Sequence, residues 1–150
     1  MSETVFDLYC DYKRELWSYT GEHYEDELLR EWYDMLVADP SCMIYPIVRF
    51  GKSIGFVILQ TINCDIPKYI IDAYVMQEYR KQGYMTLLLD SMSSQIGKEV
   101  CLYVIKSNYT AREFWKNYFS LRGYEMESGD GLPGMPTDEF VDFWVFRKKG

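Results

Sequence analysis

The sequence predicts a single-domain mixed α/β (α+β) fold, in which a mostly antiparallel sheet contains one central parallel strand pair and is flanked by helices. Two observations and one rule of chain geometry carry this. Two strand-like runs, Met43 to Phe50 and Ser53 to Thr61, are separated by Gly51 and Lys52, a connection short enough for a β-hairpin. The run Tyr69 to Met76 passes through a short polar turn into a helical pattern and then to a second apolar run, Val100 to Lys106. A strand that is reached again through a helix lies parallel to its predecessor, by a right-handed crossover.

Taken in order, Thr4 to Cys10 fits either a short first strand or the start of a helix. Asp11 to Tyr19 reads as helical, stopped at Gly21. From Glu22 to Val37, the residues Leu28, Leu29, Trp32, Tyr33, Leu36 and Val37 fall on one side with acids opposite. That predicts an amphipathic helix, with His23 on the surface at its start and Asp39 and Pro40 at its end. Pro46 marks an edge or a bulge in the first hairpin strand, and Asn63 to Lys68 break the chain before the central strand. Tyr69 to Met76 carries apolar residues on both faces, so both faces are expected to be covered.

Beyond the turn, Met85, Leu88, Leu89, Met92 and Ile96 recur at helical spacing, which predicts one helix ended by a left-handed cap at Gly97. Asn108 caps a second helix with a stripe of Ala111, Phe114, Trp115, Tyr118 and Phe119. Gly123 and Tyr124 lead into a last strand pair, with Glu127 to Glu139 as a Gly- and Pro-rich loop and Phe140 to Phe146 as the closing strand. Exposed aromatics there, such as Trp144, would suit a homodimer.

Composition bounds the function. At 150 residues, with 48% apolar and 17% aromatic content, the chain suits one globular domain. A net charge of −7 argues against nucleic acid and is compatible with a cationic substrate. No run is long and apolar enough for a membrane span, and the N-terminus has no basic region followed by an apolar one, so a cytoplasmic, unsecreted protein is expected. Cys10, Cys42, Cys64 and Cys101 form no tight ligand pair, and His23 is the single histidine. This argues against a metal site and against Cys/His or serine-triad catalysis, and it suits buried thiols in a reducing compartment.

The polar turn between strand and helix is the candidate binding element. A helix entered directly from a buried strand leaves its first N–H groups without partners, and these add to the helix dipole to favour an anion. Gly83 has no side chain, so a phosphate could approach the main chain there. Arg80 and Lys81 place two cations on the same turn.

Val75 to Met85 reads Val-Met-Gln-Glu-Tyr-Arg-Lys-Gln-Gly-Tyr-Met. This resembles the V-x-x-x-x-R/Q-x-x-G-x-G/A motif of the GNAT superfamily of N-acetyltransferases, matching at Val75, Tyr79, Arg80 and Gly83, with Met85 at the last small position. Asn108, Ala111 and Phe114 resemble a second family pattern, in which Trp115 replaces the usual tyrosine and Gly123 comes about one helical turn late. The resemblance implies a GNAT-like fold whose parallel strands splay apart, and acetyl-coenzyme A as acyl donor. It places the diphosphate on the amides from Arg80 through Lys81, Gln82, Gly83, Tyr84 and Met85 to Thr86. It places the pantetheine arm on the main chain of Val75 and Met76, and adds Asn108 to the cofactor-binding residues.

The expected activity is transfer of acetyl to a primary amine, in a small molecule or a peptide, by direct attack in a ternary complex. Asp72, in an otherwise apolar strand and on the face of Tyr74, is the expected base, and local hydrogen bonds are its structural alternative. Glu78 is the fallback. With Trp115 at the tyrosine position, Tyr118 is the first candidate proton donor and Tyr109 a poorer one; solvent protonation of the thiolate is the third option. The acids of the Glu22 to Val37 helix read as a solvated face or as a funnel for a basic substrate. The rival reading is a protein that binds acyl-coenzyme A without turnover.

Overall fold

Helix α1 (Val5–Thr20) resolves the two readings of the first segment. The Thr4 hydroxyl accepts from the Asp7 N–H at 3.1 Å while the Asp7 carboxylate accepts from the Thr4 N–H, a capping box that fixes the start of the helix. Gly21, at φ 77°, ends it as the sequence predicts. The computed structural model describes residues 4–62 and 66–149. Part of the break expected over Asn63 to Lys68, and Cys64 with it, lies outside the described residues. Cys10, Cys42 and Cys101 are buried.

Helix α2 (Asp26–Ala38) starts at Asp26 and not at Glu22, because the preceding connection is drawn against α1. The ring of Tyr24 lies 5.3 Å from that of Trp17 and 4.9 Å from that of Trp32, and His23 lies 5.3 Å from Trp17. Strands β1 (Cys42–Arg49) and β2 (Lys52–Thr61) form the expected hairpin. Its turn residues are Phe50 and Gly51, at φ 54° and 73°, one position earlier than the sequence suggests. Pro46 lies on the sheet edge, just before a register shift at Ile47 and Val48.

Strand β3 (Lys68–Val75) pairs antiparallel with β2 and parallel with β4 (Glu99–Ile105). Between them the chain passes a 3₁₀ turn, Gln77–Tyr79, then helix α3 (Tyr84–Ser91) and the short α4 (Ser93–Ile96). The single helix expected here is broken at Met92. The Ser91 hydroxyl donates to the Leu88 carbonyl at 2.6 Å, and the Met92 N–H is shared between the Leu88 and Leu89 carbonyls. Gly97, at φ 73° and ψ −155°, is not the left-handed cap expected of it. The buried stripe survives the break, with Leu89, Met92 and Ile96 all in the core.

Helix α5 (Tyr109–Ser120) leads to β5 (Tyr124–Gly129), a small hairpin of β6 (Gly131–Leu132) and β7 (Met135–Pro136), and β8 (Val141–Lys148). The predicted loop over Glu127 to Glu139 is thus partly strand. Glu127 to Gly129 continue the β5–β8 ladder, and the Tyr103 hydroxyl pins the hairpin by accepting from the Leu132 N–H at 2.8 Å and donating to the Met135 carbonyl.

The sheet order is β1-β2-β3-β4-β8-β5, with β3 and β4 its parallel pair. Since β8 is interior, Trp144 is buried under the guanidinium of Arg112, 4.8 Å away, and offers no exposed aromatic for a dimer. Helices α3, α4 and α5 cover one face over Leu59, Ile70, Leu102 and Phe146. Helices α1 and α2 cover Phe56 and Ile58 on the other, where the small hairpin shields Tyr69, Cys101 and Phe143. Each such side chain contributes roughly 1.5–3 kcal/mol by leaving water.

One irregularity sets the site. The parallel pairing runs from Lys68↔Val100 to Ile70↔Leu102 and stops, although both strands continue. At that point a bulge leaves Ile71 unpaired between Ile58↔Asp72 and Leu59↔Ile70. A bulge bends and twists its strand, and here it carries β3 away from β4. Among the described residues, no helix is long and apolar enough to cross a membrane.

Candidate active site

The gap between the splayed strands opens into two adjoining cavities. Met76 N–H donates to the Ile54 carbonyl at 2.9 Å, so by antiparallel alternation the main-chain groups of Ala73 and Val75 point to the other edge, towards the gap. One cavity, of about 520 Å³, is lined by Ala73, Val75, Arg80, Lys81, Gly83 to Thr86, Phe114 and Trp115. The second, of about 370 Å³, reaches towards α1 and α2 and is lined by Lys13, Trp17, Glu22, Tyr24, Trp32 and Asp72. Tyr12, Leu16, Ala73, Asn108, Ala111 and Trp115 belong to both, so the cavities meet beside Ala73.

The first cavity has the donors an anion requires. The first helical bond of α3 runs from the Leu87 N–H to the Gly83 carbonyl at 3.0 Å. The N–H groups of Tyr84, Met85 and Thr86 therefore have no acceptor within the helix. Gly83 has φ 84°, and a Cβ there would meet nothing within 4 Å, so open space lies before the turn. Met85 packs its side chain inward beside Leu88 and keeps its amide on the first turn. Lys81 is exposed at φ 64°, and Gln82, also exposed, donates to the Glu78 carbonyl. Arg49 and Lys52, from the β1–β2 turn, lie over the rings of Tyr84 and Tyr79.

The Arg80 side chain is not available as the second turn cation. Its Nε donates to the Val75 carbonyl at 2.7 Å, and its terminal nitrogens grip the Glu15 carboxylate at 2.9 and 2.7 Å. The bidentate pair raises the Arg80 pKa further and ties the turn to α1. Met76 is likewise engaged at both main-chain groups, since its carbonyl accepts from the Tyr79 N–H. The free strand edge belongs to Ala73 and to the Val75 N–H. Asn108 serves as N-cap of α5, accepting from the Ala111 N–H at 3.2 Å, and lines both cavities.

Asp72 is 5% exposed and faces α1 together with Tyr74. Lys13 Nζ stands 3.6 Å from Oδ1 and the Tyr12 hydroxyl also reaches the carboxylate, while Oδ2 has no partner of full hydrogen-bond geometry among the described residues. Burial pushes the Asp72 carboxyl above its usual range and Lys13 pulls it back in part. The phenols of Tyr9, Tyr12 and Tyr69 are pushed up by burial and by the Asp72 charge, so they stay neutral. A buried carboxylate oxygen without a donor costs roughly 1–3 kcal/mol or more, and a group kept at that cost is expected at a functional position.

The other acid–base candidates are not brought to the cleft. Tyr118 is buried between α3 and α5, donates to Asp90 at 2.7 Å and lies 3.8 Å beneath the Arg122 guanidinium. Burial, then Asp90, holds its phenol well above the usual range. Trp115 borders both cavities, whereas Tyr118, on the same buried stripe of α5, is drawn to Asp90 and Arg122. Tyr109 is 73% exposed, and Glu78 is exposed on the 3₁₀ turn. Tyr118→Phe is expected to cost about 1 kcal/mol of stability from the lost hydrogen bond and to leave turnover within about twofold. Thermal melts and initial rates check both.

Sequence reading misses Lys13, Tyr12, Trp17, Tyr24 and Trp32, because α1 and the connection after Gly21 reach the site through tertiary packing alone. The apolar-to-acidic periodicity of Glu22 to Val37 gives the helix, but not which aromatics turn to the cleft.

The matched family model is described as the acetyltransferase (GNAT) family and covers residues 3–119. A search of curated protein sequences gives no significant match. Among solved structures, an acetyltransferase from Thermus thermophilus aligns over 94% of this chain and 86% of its own, with TM-score 0.70 and 11% identity. The PaiA N-acetyltransferase of Thermoplasma acidophilum, solved with coenzyme A, aligns over 97% and 91%, with TM-score 0.62 and 19% identity. The diaminobutyrate acetyltransferase EctA of Paenibacillus lautus, solved with its substrate and coenzyme A, aligns over 95% and 86%, with TM-score 0.64 and 18% identity. With its parallel pair splayed beside a glycine-led helix turn and a family model spanning most of its length, the chain belongs to the GNAT acetyltransferase family.

Proposed function

We propose that this protein transfers an acetyl group from acetyl-coenzyme A to a primary amine. The observation that carries the reading is the unpaired edge of β3 at Ala73 and Val75, opening beside the acceptor-free amides of Tyr84, Met85 and Thr86. Structural neighbours solved with coenzyme A or acetyl-coenzyme A support the choice of donor.

The residues fit that donor. The turn amides, with Lys81, would hold the diphosphate, and the main chain of Ala73 and the Val75 N–H would pair with the amides of the pantetheine arm. When bound, the donor supplies a thioester carbon to which the amine nitrogen bonds as the carbon–sulfur bond breaks, leaving coenzyme A as the thiol and one proton per ammonium consumed.

An alkylammonium with a pKa of about 10.4 must first lose a proton, and Asp72 Oδ2 is the acceptor that takes it, directly or through water. Its raised pKa makes it a better base than an exposed aspartate. Trp115 packs where the cavities meet; it has no acidic proton to offer, so the thiolate is protonated from solvent. Calorimetry with coenzyme A and a thiol-release assay with acetyl-coenzyme A over a panel of amines test the reading. Saturable binding and amine-dependent thiol release are expected. Binding without release from any acceptor would point instead to a non-catalytic acyl-coenzyme A binder, and absence of binding would end both readings.

A further inference from the structure

We propose that the acceptor carries a second cation, and that the lip of the α1–α2 cavity, formed by Trp17, Tyr24, Trp32 and Glu22, is its seat. The inference rests on the acyl-transfer reading and adds the acceptor class: short α,ω-diamines, ahead of simple alkylamines and amino acids.

The inner end of this cavity is incomplete as it stands. Asp72 lines it, and its Oδ2 is buried with no partner of full hydrogen-bond geometry among the described residues, while Lys13 faces Oδ1 and the Tyr12 hydroxyl also reaches the carboxylate. An acceptor N–H completes that oxygen. The outer end consists of three part-exposed aromatic rings, Trp17 tilted against Tyr24 at 5.3 Å and Tyr24 edge to face with Trp32 at 4.9 Å. Glu22 lies beside them and accepts from the Tyr24 hydroxyl; its carboxylate has further lone pairs to offer.

Aromatic faces beside a carboxylate are a seat for an ammonium group. Among the described residues, the charged ones lining the cavity are Lys13, Glu22 and Asp72, and the one cation of these already faces Asp72. Arg14, the nearest further cation on α1, is held by Asp11 and Asp26. A carboxylate on the acceptor would meet Glu22 with no cation to receive it, whereas a second ammonium would meet π faces and negative charge.

The test uses the whole protein saturated with coenzyme A. Diaminoalkanes with propane to hexane backbones, the matching n-alkylamines and the matching ω-amino acids are titrated calorimetrically, and the same compounds are assayed for thiol release with acetyl-coenzyme A. The diamine is expected to bind about tenfold more tightly than its monoamine, with the amino acid weakest. In Glu22→Gln, an exposed position where folding is not at risk, the ratio of diamine to monoamine affinity is expected to fall towards one; Trp32→Ala gives the same readout for the rings. Equal affinity for monoamine and diamine in the unaltered protein, or preference for the amino acid, would overturn the proposal. Diamine-selective binding without thiol release would uphold the seat and remove the acyl-transfer reading. Release at equal rates from both amines, with equal affinity, would do the reverse.

Discussion

Asp72→Asn is expected to lower kcat/KM for amine acetylation about a hundredfold or more, the loss typical when a positioned general base is removed. Asparagine keeps the shape and one oxygen of the side chain, so coenzyme A affinity and the circular dichroism spectrum serve as controls for folding. The pH profile carries a second signature. Asp72 must be ionised to act, and burial places its folded pKa above the usual 3.8, so activity rises as pH climbs through that raised value. The rising limb should vanish in the variant. Folding stability moves the opposite way: the native state binds this proton more tightly than the unfolded chain, so the Asp72 contribution is most favourable below 3.8 and is lost as pH rises through the folded value. An unchanged kcat/KM in Asp72→Asn would remove Asp72 from the chemistry.

The second large effect is expected at Gly83. Gly83→Val should weaken coenzyme A binding about a hundredfold, equivalent to about 2.7 kcal/mol. Its cost to the fold should be smaller, about 1–2 kcal/mol for a branched residue held at φ 84°, because an added Cβ meets nothing within 4 Å. The two losses separate by comparing calorimetry with a thermal melt. Gly83→Asn refines the comparison, since asparagine tolerates a positive φ while still projecting atoms over the turn. If Gly83→Asn binds coenzyme A as the unaltered protein does, the diphosphate does not lie against this turn.

Much of the fold was legible in the sequence because its signals are local. The hairpin, the central strand, the helix capped at Asn108 and the parallel pairing of the strands joined through helices all follow from periodicity and turn residues within short windows. The misreadings have local causes too. Ser91 competes for a helix carbonyl and breaks the expected single helix at Met92, and Tyr103 organises a hairpin where Gly and Pro suggested only loop. The site was less legible. Asp72 stood out as an acid in an apolar strand and lies in the cleft. Tyr118 was drawn from a helix stripe whose phase does not separate cleft from core, and it points at Asp90. The partners of Arg80 and Asp72, Glu15 and Lys13, lie far away in the chain, and no spacing rule links them.

Helix α1 places Tyr12 and Leu16 against both cavities, Lys13 against the second and Glu15 against the first, all within little more than one turn. A residue inserted ahead of Tyr12 would rotate this stretch by about 100° and misalign both chambers at once. On the proposed assignment of the two chambers, donor grip and acceptor choice share one axle and cannot drift apart there. Evolutionary room to change the acceptor lies instead in the stretch from Glu22 to Trp32, which borders only the second chamber.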